Sequence, residues 1–187
     1  MEEKIKAVLD AGETLLWTGS PEKFTALDRS NKRPLITNIL VKAIVSAAII
    51  VFFAISTART TGVNPLLLIA LLAAAALIIA SPFFSVNKLR SKVTYALTDR
   101  RLISCTPEFH AVPLEGIREA VLRSDEDGHR TLLCGPEAVK LEPAKWRKYA
   151  VAVPMTENGA GVCTRMVWYA LPASKELDTL LKKYLPL

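Results

Sequence analysis

Three groups of residues in this 187-residue sequence have types and spacings that could do chemistry. The first is Asp125, Asp127 and His129, with Cys134 shortly after. A base beside carboxylates and a thiol serves nucleophilic catalysis when all converge in one pocket. Here the aspartates belong to the run Asp125-Glu126-Asp127-Gly128, a hairpin-turn signal, and His129 opens a strand. Solvated turn residues are therefore expected, and no catalytic site. The second group is Lys145-Trp146-Arg147-Lys148-Tyr149, where cations interleave with aromatics. That mixture suits an anionic membrane interface, and Arg100 and Arg101 form a smaller pair able to meet the same surface. The other reading of the run is a solvated loop with one aromatic folded back. The third group is Cys105, Cys134 and Cys163, odd in number and without C-x-x-C spacing, beside only His110 and His129. Reduced, partly buried thiols are expected rather than a metal site. No phosphate-binding loop, dinucleotide fingerprint, nucleophile elbow or zinc-protease motif occurs, so neither enzyme activity nor a cofactor is expected.

The elements that must position these residues divide the chain in three. Hydrophobic residues make up 51% of it, but between Leu35 and Val86 only Lys42 and Arg59 are charged. Residues 35–57 and 65–86 read as two apolar helices, and the 23 residues of the first make ~34 Å, enough for a hydrocarbon core of ~30 Å. A chain this short has no second core large enough to bury them, so membrane insertion is expected. The loop Ala58–Asn64 permits only an antiparallel hairpin. Arg29, Lys32, Arg33, Lys88, Arg90 and Lys92 flank its open end, against Arg59 alone in the loop. The positive-inside rule then puts both termini in the cytoplasm. Lys42 lies ~10 Å into its span, shallow enough to snorkel. Ala43 with Ala47, and Ala70 with Ala74, have close-packing spacing and are expected to join the two helices, with a homo-oligomer left open. Pro82 should kink the second helix. The net charge of +6 forms no stripe of the kind that nucleic acid requires, so no nucleic-acid partner is expected.

Residues 1–34 read as an N-terminal segment and residues 87–187 as a separate domain of strands. Val93, Tyr95 and Leu97 alternate with Thr94, Ala96 and Thr98, a strand pattern. Asp99-Arg100 turns into a second strand, 101–106, and Pro107 and Pro113 bracket an irregular stretch. Further strands are expected over 117–124, 130–134, 148–155 and 162–171. Leu177, Leu180, Leu181 and Tyr184 have helical spacing within 173–185. Leu15, Leu16 and Trp17 should pack on the strand domain, since three bulky apolar residues in a row are costly in water.

The run Gly12-Glu13-Thr14-Leu15-Leu16-Trp17-Thr18-Gly19-Ser20-Pro21 resembles a signature that precedes the membrane hairpin in bacterial pleckstrin-homology (PH-like) membrane proteins. Tyr95-Ala96-Leu97-Thr98-Asp99-Arg100-Arg101-Leu102-Ile103 resembles their first strand hairpin, and Val112-Pro113-Leu114-Glu115-Gly116-Ile117 their entry into the third strand. The motif positions are Gly12, Glu13, Trp17, Gly19, Pro21, Tyr95, Leu97, Thr98 and Arg101. The resemblance implies an α+β membrane protein: a two-helix hairpin plus an antiparallel β-sandwich or barrel capped by a C-terminal helix. It also implies a multi-pass protein of the bacterial inner membrane, acting without catalysis as an adaptor or assembly partner for another protein. Binding to a membrane surface or anionic lipid is the alternative, and a subunit of a transport complex a third reading.

Overall fold

The computed structural model describes residues 5, 7–60, 62, 64–105, 109–151, 154–157 and 162–187, with backbone alone for 59, 60, 85, 88, 90, 91 and 155–157. Two long helices form an antiparallel hairpin: α1 (Arg29–Thr60) and α2 (Pro65–Lys92). Asn64 caps α2, its side-chain oxygen accepting the Leu66 N–H at 3.0 Å, and Pro65 takes the first position, where no N–H is needed. Both helices outrun the apolar segments. At 1.5 Å per residue, α1 spans ~48 Å and α2 ~42 Å, so each is long and apolar enough to cross a bilayer with turns to spare. Their outward faces are bare, with Phe52 74% and Leu66 77% exposed.

Half-buried residues recur every three or four positions along the inner faces, among them Ile39, Ala43, Ser46 and Ile50 on α1 and Leu68, Leu71, Ala75 and Ile79 on α2. This corrects part of the expected interface. Ala43 faces inward, but Ala47, Ala70 and Ala74 lie on exposed surface, and the half-buried faces carry larger residues such as Ile39, Ile50, Leu68 and Ile79.

The strands make two four-stranded antiparallel sheets. One has the order β1 (Leu15–Gly19), β2 (Thr94–Thr98), β3 (Arg101–Cys105) and β4 (Phe109–Pro113). The other has the order β5 (Ala120–Ser124), β6 (Arg130–Cys134), β8 (Val162–Leu171) and β7 (Met155–Glu157). Among the described residues no strand pairs across the two sheets, so they form an open sandwich rather than a closed barrel. β1 comes before the hairpin and pairs with β2, which follows it, matching Thr18 with Ala96 and Gly19 with Tyr95. Residues 1–34 are therefore not a segment apart. They supply an edge strand, and Ile5 with Leu9 covers Ala96 and Ile103 on the sheet's second face. All five β2 residues are consequently buried, although their sequence alternates.

Three other expectations change. The stretch ending at Pro113 contains β4, while 106–108 lie outside the described residues. Residues 136–150 form two short helices, α3 (Pro136–Val139) and α4 (Pro143–Ala150), each opened by a proline. The strand expected from Lys148 begins only at Met155. Trp146, Arg147 and Ala150 are all buried, and spacings of one and three residues put them on one side of a helix but on opposite faces of an alternating strand.

The core lies between the sheets. The Tyr95 ring stacks on Trp168 at 5.1 Å, and Trp17 of β1 approaches the same indole at 6.1 Å. The Tyr95 hydroxyl accepts the Tyr169 N–H at 3.0 Å and donates to the Tyr169 carbonyl at 3.3 Å, tying one sheet to the other. The C-terminal helix α5 (Lys175–Tyr184) starts at Ser174, whose hydroxyl accepts the Leu177 N–H, and buries Leu177 and Leu181 in this core. At the other end, Leu89 of α2 belongs to the same core, so α2 runs into the domain without a linker.

Candidate functional site

Asp125, Asp127 and His129, expected as solvated turn residues, are instead buried or half-buried and form a clasp. Asp125 folds the β5–β6 turn by accepting the Asp127 and His129 N–H groups at 3.0 and 2.9 Å. That turn presents Asp127 to the start of α1. Its carboxylate accepts the Arg29 and Ser30 N–H groups at 3.1 and 3.0 Å, and the Ser30 hydroxyl at 2.7 Å. These amides have no partner within the helix, and α1 has no acidic residue in its own first turn. The strand domain thus supplies the cap and the negative charge that this helix end favours. The Ser30 amide and hydroxyl, with the Arg29 amide, hold the Asp127 carboxyl below its ordinary pKa against a smaller effect of burial.

Behind the clasp lies a buried polar knot centred on Arg147 of α4. Its guanidinium donates to Asp28 Oδ2 at 2.5 Å, to the Thr25 carbonyl at 2.6 Å and to the Tyr169 hydroxyl at 3.0 and 3.1 Å. The Tyr169 hydroxyl donates in turn to Asp125 at 3.0 Å. His129 Nε2 lies 3.1 Å from Asp28 Oδ2, and the Phe24 ring sits 4.8 Å under the guanidinium. Burial opposes ionisation of Asp28, but the Thr25 hydroxyl and the Arg147 charge outweigh it and lower its pKa. Every carboxylate oxygen drawn into the knot meets donors, which fits a structural junction of the N-terminal segment, α4 and the second sheet.

Above the knot, where α1 and α2 meet α4, is a cavity of about 470 Å³. Asn31, Asn38 and Lys42 of α1, Ser81 of α2, and Arg147 and Lys148 of α4 give its polar wall. Leu35, Pro82, Val86 and Val151 give the apolar one. Pro82 has no N–H for the Ile78 carbonyl, and the Ser81 hydroxyl donates there instead at 2.8 Å. The Ser81 oxygen is then free to accept Lys42 Nζ at 2.7 Å. Lys42 is tied across the hairpin rather than snorkelling outward. Asn31 is only 8% exposed, and its Nδ2 has no hydrogen-bond partner among the described residues.

The basic–aromatic run is split by its helix. Trp146 is 1% exposed and donates its indole N–H to the Leu141 carbonyl at 3.1 Å, and Arg147 is 7% exposed. Lys145 and Lys148 are exposed and Tyr149 is half-buried, so the five residues do not share one surface, and the one-aromatic-folded-back reading describes Trp146. Arg101 is likewise occupied. Its guanidinium grips Glu13 at 2.6 and 2.8 Å, and Thr98 donates to the same carboxylate at 2.6 Å. Burial opposes the ionisation of Glu13, but these bonds and the Asp10 amide outweigh it and pull its pKa down from 4.5 to about 2. Three motif positions thus converge on one knot between the N-terminal segment and the β2–β3 turn, while Arg100 is exposed. Gly19 has a separate cause: a Cβ there would lie 2.5 Å from the Trp17 ring.

Cys134 and Cys163 come together on neighbouring strands as free thiols, and Cys163 Sγ donates to the Cys134 carbonyl at 3.8 Å. Burial raises both pKa values, that of Cys163 to about 11, so neither is a ready nucleophile.

No family model, curated protein or solved structure matches this chain. Sequence reasoning missed the junction because Asp28, Arg147 and Tyr169 are far apart in the chain. The only local sign was a basic residue between two aromatics.

Proposed function

We propose that this chain is a non-enzymatic membrane module, in which the hairpin crosses the bacterial inner membrane and mounts a PH-like domain rigidly on its cytoplasmic face to bind another protein. The observation that carries this reading is the closure of one sheet across the hairpin. β1 precedes α1, β2 follows α2, and the two strands pair. With Asp127 capping α1 and Leu89 in the core, the domain has a fixed attitude to the helices, unlike a domain on a loose tether. A fixed attitude presents a constant face to a partner, which suits an adaptor. The bare apolar helix surface supports insertion, since so large an exposed patch is costly in water. The six flanking cations support the inward orientation. Direct lipid-surface binding through the 145–149 run is less well supported, because Trp146 and Arg147 face inward.

The test uses the full chain in native membranes, with a photo-crosslinking residue placed at Arg123 on β5 or at Lys182 on α5, both exposed. One discrete protein adduct, seen from one face and not the other, is the expected result. A chain that stays in the membrane on carbonate extraction yet yields no adduct from either face would overturn the adaptor reading.

A further inference from the structure

We infer that the cavity at the mouth of the hairpin binds a phosphate-bearing anion, either an anionic lipid headgroup or free phosphate. The inference rests on the membrane-anchored reading for its lipid source, though not for the cavity's own chemistry.

The charge on the wall is one-sided. Lys42, Arg147 and Lys148 line the cavity, and among the described residues no carboxylate does. Arg147 is matched by Asp28 behind it. Lys42 Nζ donates to the neutral Ser81 hydroxyl and Lys148 Nζ lies 5.8 Å from the Tyr149 ring, and among the described residues neither forms an ion pair. A hydrogen bond to serine satisfies a proton of the ammonium but supplies no countercharge, and a cation among apolar helices calls for one. A second, independent observation points the same way. Asn31 belongs to this wall, is more than nine-tenths buried, and keeps a donor, Nδ2, with no acceptor. Buried donors are nearly always paired, and an unpaired one asks for an unseen partner. Two cations and an idle amide donor favour an acceptor-rich anion, which phosphate is.

The shape agrees. About 470 Å³ is within the ~300–1,000 Å³ of small-molecule sites. Along α1 the cavity runs from Asn31 to Lys42, ~16 Å of helix, from the clasp with the domain into the apolar segment. Leu35, Pro82 and Val86 continue the wall on the hairpin side. A headgroup near the domain with its chain along the helices uses both walls, and basic pockets between membrane helices are a recurrent setting for such headgroups.

The experiment takes the full chain in neutral detergent micelles and counts bound lipid by native mass spectrometry. Phosphatidylglycerol, phosphatidylcholine and inorganic phosphate are the probes. The expected result is one phosphatidylglycerol adduct at about a 25-fold lower concentration than phosphatidylcholine needs, from two cations near an anionic group worth about fivefold each. Lys42→Gln and Lys148→Gln should each weaken it about fivefold, and Asn31→Leu should weaken it too. Lys148 is exposed, so its variant keeps the test alive if Lys42→Gln does not fold. Competition by inorganic phosphate assigns the site to phosphate from either source, and its absence assigns it to lipid alone. Equal binding of the two lipids, with no change in Lys148→Gln and no phosphate adduct, overturns the proposal. Carbonate extraction separates the two failures. A chain released by carbonate loses the anchor reading while the phosphate arm still tests the cavity, whereas a retained chain without lipid preference loses only the cavity.

Discussion

At the scale of single residues, the energetics concentrate in two carboxylate knots. Arg147 and Asp28 are both nearly buried, and removing one partner of such a pair strands the other charge. Arg147→Met should therefore destabilise the protein by ~3 kcal/mol, while adding Asp28→Asn to that variant should cost little more. Denaturant melts of the four combinations in micelles check this, and additive losses would contradict the coupling. Glu13 carries the pH dependence. Its folded pKa lies near 2, below the ordinary 4.5, so the folded state favours the ionised form. The stabilisation it gives is complete above pH 4.5 and is lost as pH falls towards 2. Thermal unfolding across that range should show Glu13→Gln least stable relative to the parent near neutrality, with the gap closing in acid. A gap that does not depend on pH would sink the assignment.

At the scale of elements, the clasp and the second sheet make separate demands. Asp127→Ala removes the acceptor for two N–H groups of α1 and should cost ~1 kcal/mol, the usual value of a lost cap. Hydrogen exchange localises the effect: the Arg29 and Ser30 amides should lose protection while those of β3 keep theirs. Gly135 joins β6 to α3 at φ +92°, and a Cβ there would lie 2.6 Å from the Cys163 carbonyl oxygen. Backbone, not a movable side chain, is in the way. Gly135→Ala should thus destabilise by more than ~1 kcal/mol, seen as a lower denaturation midpoint with an unchanged slope.

At the scale of the whole molecule, hairpin and domain are joined without a linker, because chain from both sides of the hairpin builds one sheet. Reporters active only outside the cytoplasm should be silent when fused after Leu187 and active when placed in the 58–64 loop. The reverse pattern would overturn the proposed orientation and with it the cytoplasmic setting proposed for the domain. The same architecture argues against testing the domain without its N-terminus. A piece starting at residue 87 lacks β1, the Glu13 partner of Arg101 and the Asp28 partner of Arg147.

Some of this was determined by sequence alone, because its cause is local. Apolar composition over 35–57 and 65–86, with Pro65 and Asn64 at a helix start, specifies two helices whatever surrounds them. The Asp125–Gly128 turn, the 162–171 strand and the leucine spacing of α5 carry their signals within a few residues. What depended on distant partners was not legible. Leu15–Gly19 becomes a strand because β2 offers it an edge, 75 residues later. Residues 145–149 look like a basic patch until a helix turns Trp146 and Arg147 inward towards the core and Asp28. The cavity is further still from sequence, since Asn31, Lys42, Ser81 and Lys148 lie on three helices whose meeting point only the folded sheet decides. Local propensity reads along the chain, whereas burial and charge pairing are settled by neighbours in space, and the lining of this cavity rests on the second kind.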